Sequence, residues 1–181
     1  MTTAAAPIVS GVPFALRRLY LVRFAFALVW AALLAVSGSH LGPLSVTLLV
    51  IYPLFDAAAA VADARSSRAA TLYANIAMST LATIGVAIAA SSGIPAVLRV
   101  WGAWAVVAGL VQLAVAIPRR RLGGQWPMII SGAISVLAGG SFIAGAAADN
   151  PALTNAVGYA IPGALFFLIA AIRLGRTARG N

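Results

Sequence analysis

The sequence predicts an all-α integral membrane protein: six transmembrane helices built as three parallel helical-hairpin repeats. Three observations carry this expectation. Of 181 residues, 62% are hydrophobic and only 8% are charged, against about 25% charged in an ordinary soluble domain; the mean hydropathy is +1.02. The basic residues are all arginine, 12 against 3 acids for a net charge of +9, and they fall in short clusters between long apolar runs. Finally, prolines, arginines and aromatics recur in a common register along the chain.

The elements follow in order. Residues 24–55 carry no formal charge when His40 is neutral. As one helix they would reach about 48 Å, more than a hydrocarbon core of about 30 Å. The turn-forming run Ser37-Gly38-Ser39-His40-Leu41-Gly42-Pro43 divides them. Helix 1 is expected near 18–37 and helix 2 near 44–64. The run 69–98 breaks in the same way at Ser91-Ser92-Gly93-Ile94-Pro95, placing helix 3 near 70–90 and helix 4 near 97–117. Residues 122–148 supply helix 5, near 126–146. Ala147-Ala148-Asp149-Asn150-Pro151 precedes helix 6, near 153–173, with Asp149 as an N-cap and Pro151 near the first helical position. Residues 1–16 and 177–181 are left as tails, and the hairpins are 17–68, 69–121 and 122–176.

Six crossings return the chain to its starting side. That side takes Arg17, Arg18 and Arg23, then Arg65 and Arg68, then Arg119, Arg120 and Arg121, then Arg173, Arg176 and Arg179. Only Arg99 falls elsewhere. Arginine marks the cytoplasmic side of short loops, so both termini are expected in the cytoplasm of a bacterial inner membrane. Leu28–Val36 could also be read as the apolar region of a cleaved signal, with Ala35-Val36-Ser37 as a weak cleavage site. The lack of a basic residue in 1–16 and the repeat's need for helix 1 favour a retained span. Tyr20, Tyr73 and Trp126 near the arginine-rich boundary, and Trp101 near the opposite one, are expected as interfacial anchors.

The repeat is seen at four sets of positions. Pro43, Pro95 and Pro151 open the even helices, and Arg68, Arg120 and Arg176 close them. Tyr52 and Trp104 correspond, with Ala160 in the third copy, and so do Arg23, Asn75 and Ser131 in the odd helices. A two-span unit ends on the side where it began, so successive copies share one orientation, unlike the inverted repeats of many transporters. Small residues spaced four apart, Ala105 with Gly109, Ser135 with Gly139 and Gly140 with Ala144, suit the close backbone approach that drives helix association in lipid.

Trp101-Gly-Ala-Trp-Ala-Val-Val-Ala-Gly109, followed by Pro118-Arg-Arg-Arg121, resembles the HdeD-like family of short-repeat bacterial membrane proteins. Trp126-Pro-Met-Ile-Ile-Ser-Gly132 through Gly139 is similar to it as well. Gly102/Gly109 and Gly132/Gly139 keep that family's seven-residue glycine spacing, and Trp104 keeps its aromatic. Asp56 stands at the aspartate of its Asp-Gly pair, with Ala57 replacing the glycine. Arg23 matches its frequent arginine in helix 1, with Phe24 replacing the following glycine. Helix 6, with Pro162 and Gly163, follows the pattern more loosely. The resemblance implies a six-span helical protein and, through the family's founding member, a link to acid resistance. Most members have no assigned biochemical activity.

Charges inside a span are functional candidates by default. Arg23 lies about 8 Å into helix 1 and Asp56 about 12 Å into helix 2, both from the arginine-rich end. Because the helices are antiparallel neighbours, an Arg23–Asp56 ion pair is expected. The open alternatives are separate structural roles, with Arg23 snorkelling to the headgroups and Asp56 protonated and bonded to a neighbouring Ser, Asn or Tyr, and a transport or proton-relay role. Asn75, Gln112 and Ser131 are the other polar candidates, for interhelical hydrogen bonds. Asp63 beside Arg65 reads as a boundary residue, and His40 as a solvated loop residue.

Composition also narrows function. With one His, no Cys, three acids that are all Asp, and neither Lys nor Glu, there is little from which to build a nucleophile, an acid–base pair or a metal site. No catalytic, cofactor or metal residues are assigned. The pI near 11.7 does not imply nucleic acid, since the arginines follow a topology code. Anionic lipid headgroups at the cytoplasmic face are the expected partners, with a membrane protein or a second copy of the chain as further candidates. A non-catalytic inner-membrane protein of envelope or acid stress is expected, and a small transporter or channel using Arg23 and Asp56 is the alternative.

Overall fold

The computed structural model describes residues 11–67 and 69–177. Arg68 and Arg179, residues 1–10 of the expected first tail and 178–181 of the last lie outside the described residues. The chain is all-helical: α1 is Gly11–Ser37, α2 Pro43–Ser67, α3 Ala70–Ala89, α4 Ile94–Ala116, α5 Trp126–Gly145 and α6 Asn155–Thr177. All 6 are long and apolar enough to cross a membrane, compatible with a multi-pass membrane protein. Single 3₁₀ segments, Ala90–Ser92 and Pro118–Leu122, join α3 to α4 and lead from α4 towards α5.

Breaks between helices fall where turn chemistry demands them. α1 stops at Gly38, whose N–H bonds the Leu34 carbonyl at 2.7 Å. Pro95 and Pro127 sit in the first turns of α4 and α5, where proline's missing N–H costs nothing. Gly123 and Gly124 have φ of 77° and 65°, which lets the chain reverse between α4 and α5. Two ends differ from expectation. α1 begins at Gly11 rather than near 18, because Leu16 is buried with Phe167, Ala170 and Leu174. α6 begins at Asn155, so Asp149 and Pro151 are not its cap and first residue; the fully buried Leu153 anchors the turn that starts it.

Consecutive helices pack on one another, and α6 packs back on α1, so the six close into a ring. The most extensive packing joins α4 to α5, α1 to α6 and α2 to α3, between the expected hairpins rather than within them. Glycine explains the α4–α5 seam. A Cβ on Gly102 would stand 2.6 Å from the Gly139 carbonyl, and one on Gly109 would stand 2.7 Å from the Gly132 carbonyl. The seven-residue spacing thus brings two backbones into direct contact at two levels. Gly140 has nothing within 4 Å, so the Gly140/Ala144 pair faces outward. Large aliphatics also point out: Val36, Leu137 and Ile88 are exposed, as a lipid-facing surface requires.

One half of the ring is filled by aromatics. Trp30 stacks on Trp101 at 5.4 Å between centroids, and Tyr52 and Trp104 pack around them. Trp101 is 1% exposed, so it is a core residue and not an interfacial anchor. Pro53 inside α2 accounts for this. Proline has no N–H to give the carbonyl four residues back, and the Trp101 indole N–H donates to that Leu49 carbonyl at 3.1 Å. The Trp30 indole donates to the neighbouring Leu48 carbonyl at 2.6 Å. Tyr20 is likewise buried, whereas Tyr73 and Trp126 are about 60% exposed, at 61% and 60%, as anchors would be.

Candidate functional site

The other half of the ring holds a small cavity of about 60 Å³ towards the arginine-rich end. Every helix lines it: Tyr20 and Arg23 from α1, Ala60 and Asp63 from α2, Leu72 and Asn75 from α3, Ala108 and Gln112 from α4, Met128 from α5 and Phe167 from α6. Asp56, Ala60 and Asp63 follow the i, i+4, i+7 spacing of one helix face, so α2 presents its two acids to the interior about 10 Å apart along its axis.

The deeper acid has a donor on each of its oxygens. Arg23 donates from Nη2 to Asp56 Oδ1 in an ion pair. Asn75 Nδ2 and Ser79 Oγ donate to Asp56 Oδ2 at 2.7 Å and 2.9 Å. Ser79 Oγ in turn accepts the Trp104 indole N–H at 3.0 Å. Asp56 therefore ties α1, α2 and α3 together, and through Ser79 it reaches α4. The Arg23 guanidinium lies 4.6 Å from the centre of the Phe167 ring, a cation–π contact that brings in α6. Its Nε is buried without a hydrogen-bond partner.

The shallower acid meets a second guanidinium. Arg119 donates Nη1 to Asp63 Oδ2 at 2.8 Å and Nη2 to Oδ1 at 3.0 Å, the two-pronged geometry that arginine allows. Both side chains are about 90% buried, at 12% and 11% exposure. Tyr20 Oη donates to Gln125 Oε1 at 3.3 Å.

The structure thus brings Arg23, Asp56 and Asn75 into one network. Gln112 lies apart from it, donating Nε2 to the Met128 carbonyl at 2.8 Å and joining α4 to α5. Ser131 is buried on α5, where its carbonyl accepts the Ser135 hydroxyl at 3.0 Å; it does not join the network. His40 is exposed in the α1–α2 turn beside Ser39. From sequence, Trp104 stands only as a repeat position and Arg119 only as a topology arginine, and Ser79 is not a candidate at all. Ser79 carried a signal, being one helical turn beyond Asn75 and so on its face. Arg119 carried none beyond its place at the same end of the ring as Asp63. No family model, curated protein or solved structure matches the chain.

Proposed function

We propose that this chain is a non-catalytic multi-pass protein of the bacterial inner membrane, of HdeD-like type, serving the envelope under stress such as acid. Its six helices would cross as three parallel hairpins with both termini in the cytoplasm. The arginine distribution supports the sidedness. The cyclic packing, strongest between hairpins, supports the repeat, because three like-facing units closing on themselves would place equivalent seams at α2–α3, α4–α5 and α6–α1. The glycine pairs of the α4–α5 seam give the HdeD-like spacing a physical role.

One observation carries the non-catalytic reading: the Asp56 carboxylate is occupied by Arg23, Asn75 and Ser79. A buried acid with donors from two other helices on its oxygens is suited to fixing helices in place, and three of its roughly four acceptor sites are already used. A deletion strain tests the role. Reduced survival in acid with unchanged membrane permeability is the expected result, and unimpaired survival refutes the stress reading.

A second reading, a small transporter or channel, is favoured by the small cavity towards the arginine-rich end, lined by Arg23 and Asn75. Proteoliposomes under a proton or small-solute gradient discriminate the two. Flux that Asp56→Asn abolishes would support the transporter, and absence of flux supports the structural reading.

A further inference from the structure

α1 and α6 pack closely at the arginine-rich end. There Arg17 lies directly on Gly175, where an added Cβ would stand 2.8 Å from its Nε. Arg17, Ile172, Gly175 and Arg176 line a notch in the outer face of this seam. Among the described residues, neither Arg17 nor Arg176 makes a hydrogen bond or ion pair, and Arg17 Nε is buried without a partner. The chain has only 3 acids to offer. Asp56 is taken by Arg23 and Asp63 by Arg119, while Asp149 precedes α6 at the opposite end of the ring. Among the described residues, therefore, no carboxylate is placed to neutralise this notch.

We infer that the notch binds the phosphate of an anionic phospholipid headgroup. Guanidinium forks match phosphate oxygens, and basic pockets between helices at the cytoplasmic face suit lipid headgroups. Ile172, 44% exposed beside the two arginines, offers an apolar wall on which the acyl chain continues towards the bilayer. That amphipathic lining distinguishes a lipid from a free anion. Gly175 seats Arg17: an added Cβ there would stand 2.8 Å from Nε and 3.3 Å from Cζ, so only glycine leaves room for the side chain in the seam. The inference rests on the membrane-spanning reading and gives its lipid partner a specific seat.

Native mass spectrometry of the full chain, released from nanodiscs of equal phosphatidylglycerol and phosphatidylcholine, tests it. One phosphatidylglycerol should be retained preferentially. Arg17→Gln with Arg176→Gln should weaken retention about tenfold or more, as loss of charge-assisted bonds implies. Gly175→Ala keeps every charge and displaces only the flexible end of Arg17, so it should fold and weaken retention about threefold or more. Arg65→Gln with Arg121→Gln removes the same charge from exposed positions at the same end and should leave retention unchanged. Equal loss in that control, no preference for phosphatidylglycerol, or displacement of the lipid by millimolar inorganic phosphate would overturn the assignment. Both leaflets of the nanodisc are alike, so this result does not depend on which end faces the cytoplasm.

Discussion

Removing the two ends of the central ion pair should have unequal costs. Asp56→Asn leaves the Arg23 guanidinium over Phe167 with no anion, and stripping one partner from a buried pair costs about 3–5 kcal/mol. Arg23→Gln leaves Asp56 with two donors, Asn75 at 2.7 Å and Ser79 at 2.9 Å. The loss is then nearer one charge-assisted bond, about 1.5–3 kcal/mol. The double variant removes both charges and restores a neutral site, so its cost should fall below the sum of the singles by about 1–3 kcal/mol. Equilibrium unfolding in mixed micelles, followed by circular dichroism, gives the four stabilities. Additivity within about 0.5 kcal/mol, or equal costs for the two single variants, would refute the network as the element that locks α1, α2 and α3.

Gly102→Ala should destabilise by about 1–3 kcal/mol, because its Cβ meets the Gly139 backbone at 2.6 Å; Gly140→Ala, with open space around it, should be neutral or gain up to about 1 kcal/mol of helix propensity. Thermal unfolding of the two in parallel checks this pair. Trp101→Phe should cost about 1–3 kcal/mol by orphaning the Leu49 carbonyl, and less in a Pro53→Ala background, where residue 53 regains an N–H for that carbonyl; equal costs in both backgrounds would refute the pairing of indole with proline. Ser79→Ala removes a donor to Asp56 and the acceptor of Trp104 together, so in the same unfolding assay it should cost more than Asn75→Ala.

The spans were legible because lipid imposes a simple rule: long apolar runs, broken only where Gly, Pro and Ser make turns. The Arg23–Asp56 proximity followed from depth and antiparallel neighbours alone. The remaining network was harder to read, since Asn75 and Ser79 are polar positions whose partner depends on how α3 rotates about its axis, and tertiary packing sets that rotation. Trp101 illustrates the limit most clearly. At the end of a helix a tryptophan reads as an anchor. Its true partner is a carbonyl freed by Pro53, on a different helix, and only the fold brings the two together. Asp63 and Arg119 lie 56 residues apart in sequence, and no local pattern links them.

Sidedness and crossing number are tested most directly by cysteine labelling, which the natural absence of cysteine makes clean. Single variants Ser39→Cys, Ser91→Cys and Asn150→Cys report one end of the ring, and Arg65→Cys and Arg121→Cys the other. A membrane-impermeant maleimide on intact cells should label the first three at once and the last two only after permeabilisation. Labelling of Arg121→Cys from outside, or a division of the first three between the two sides, would contradict a chain that crosses six times with its arginines held in the cytoplasm.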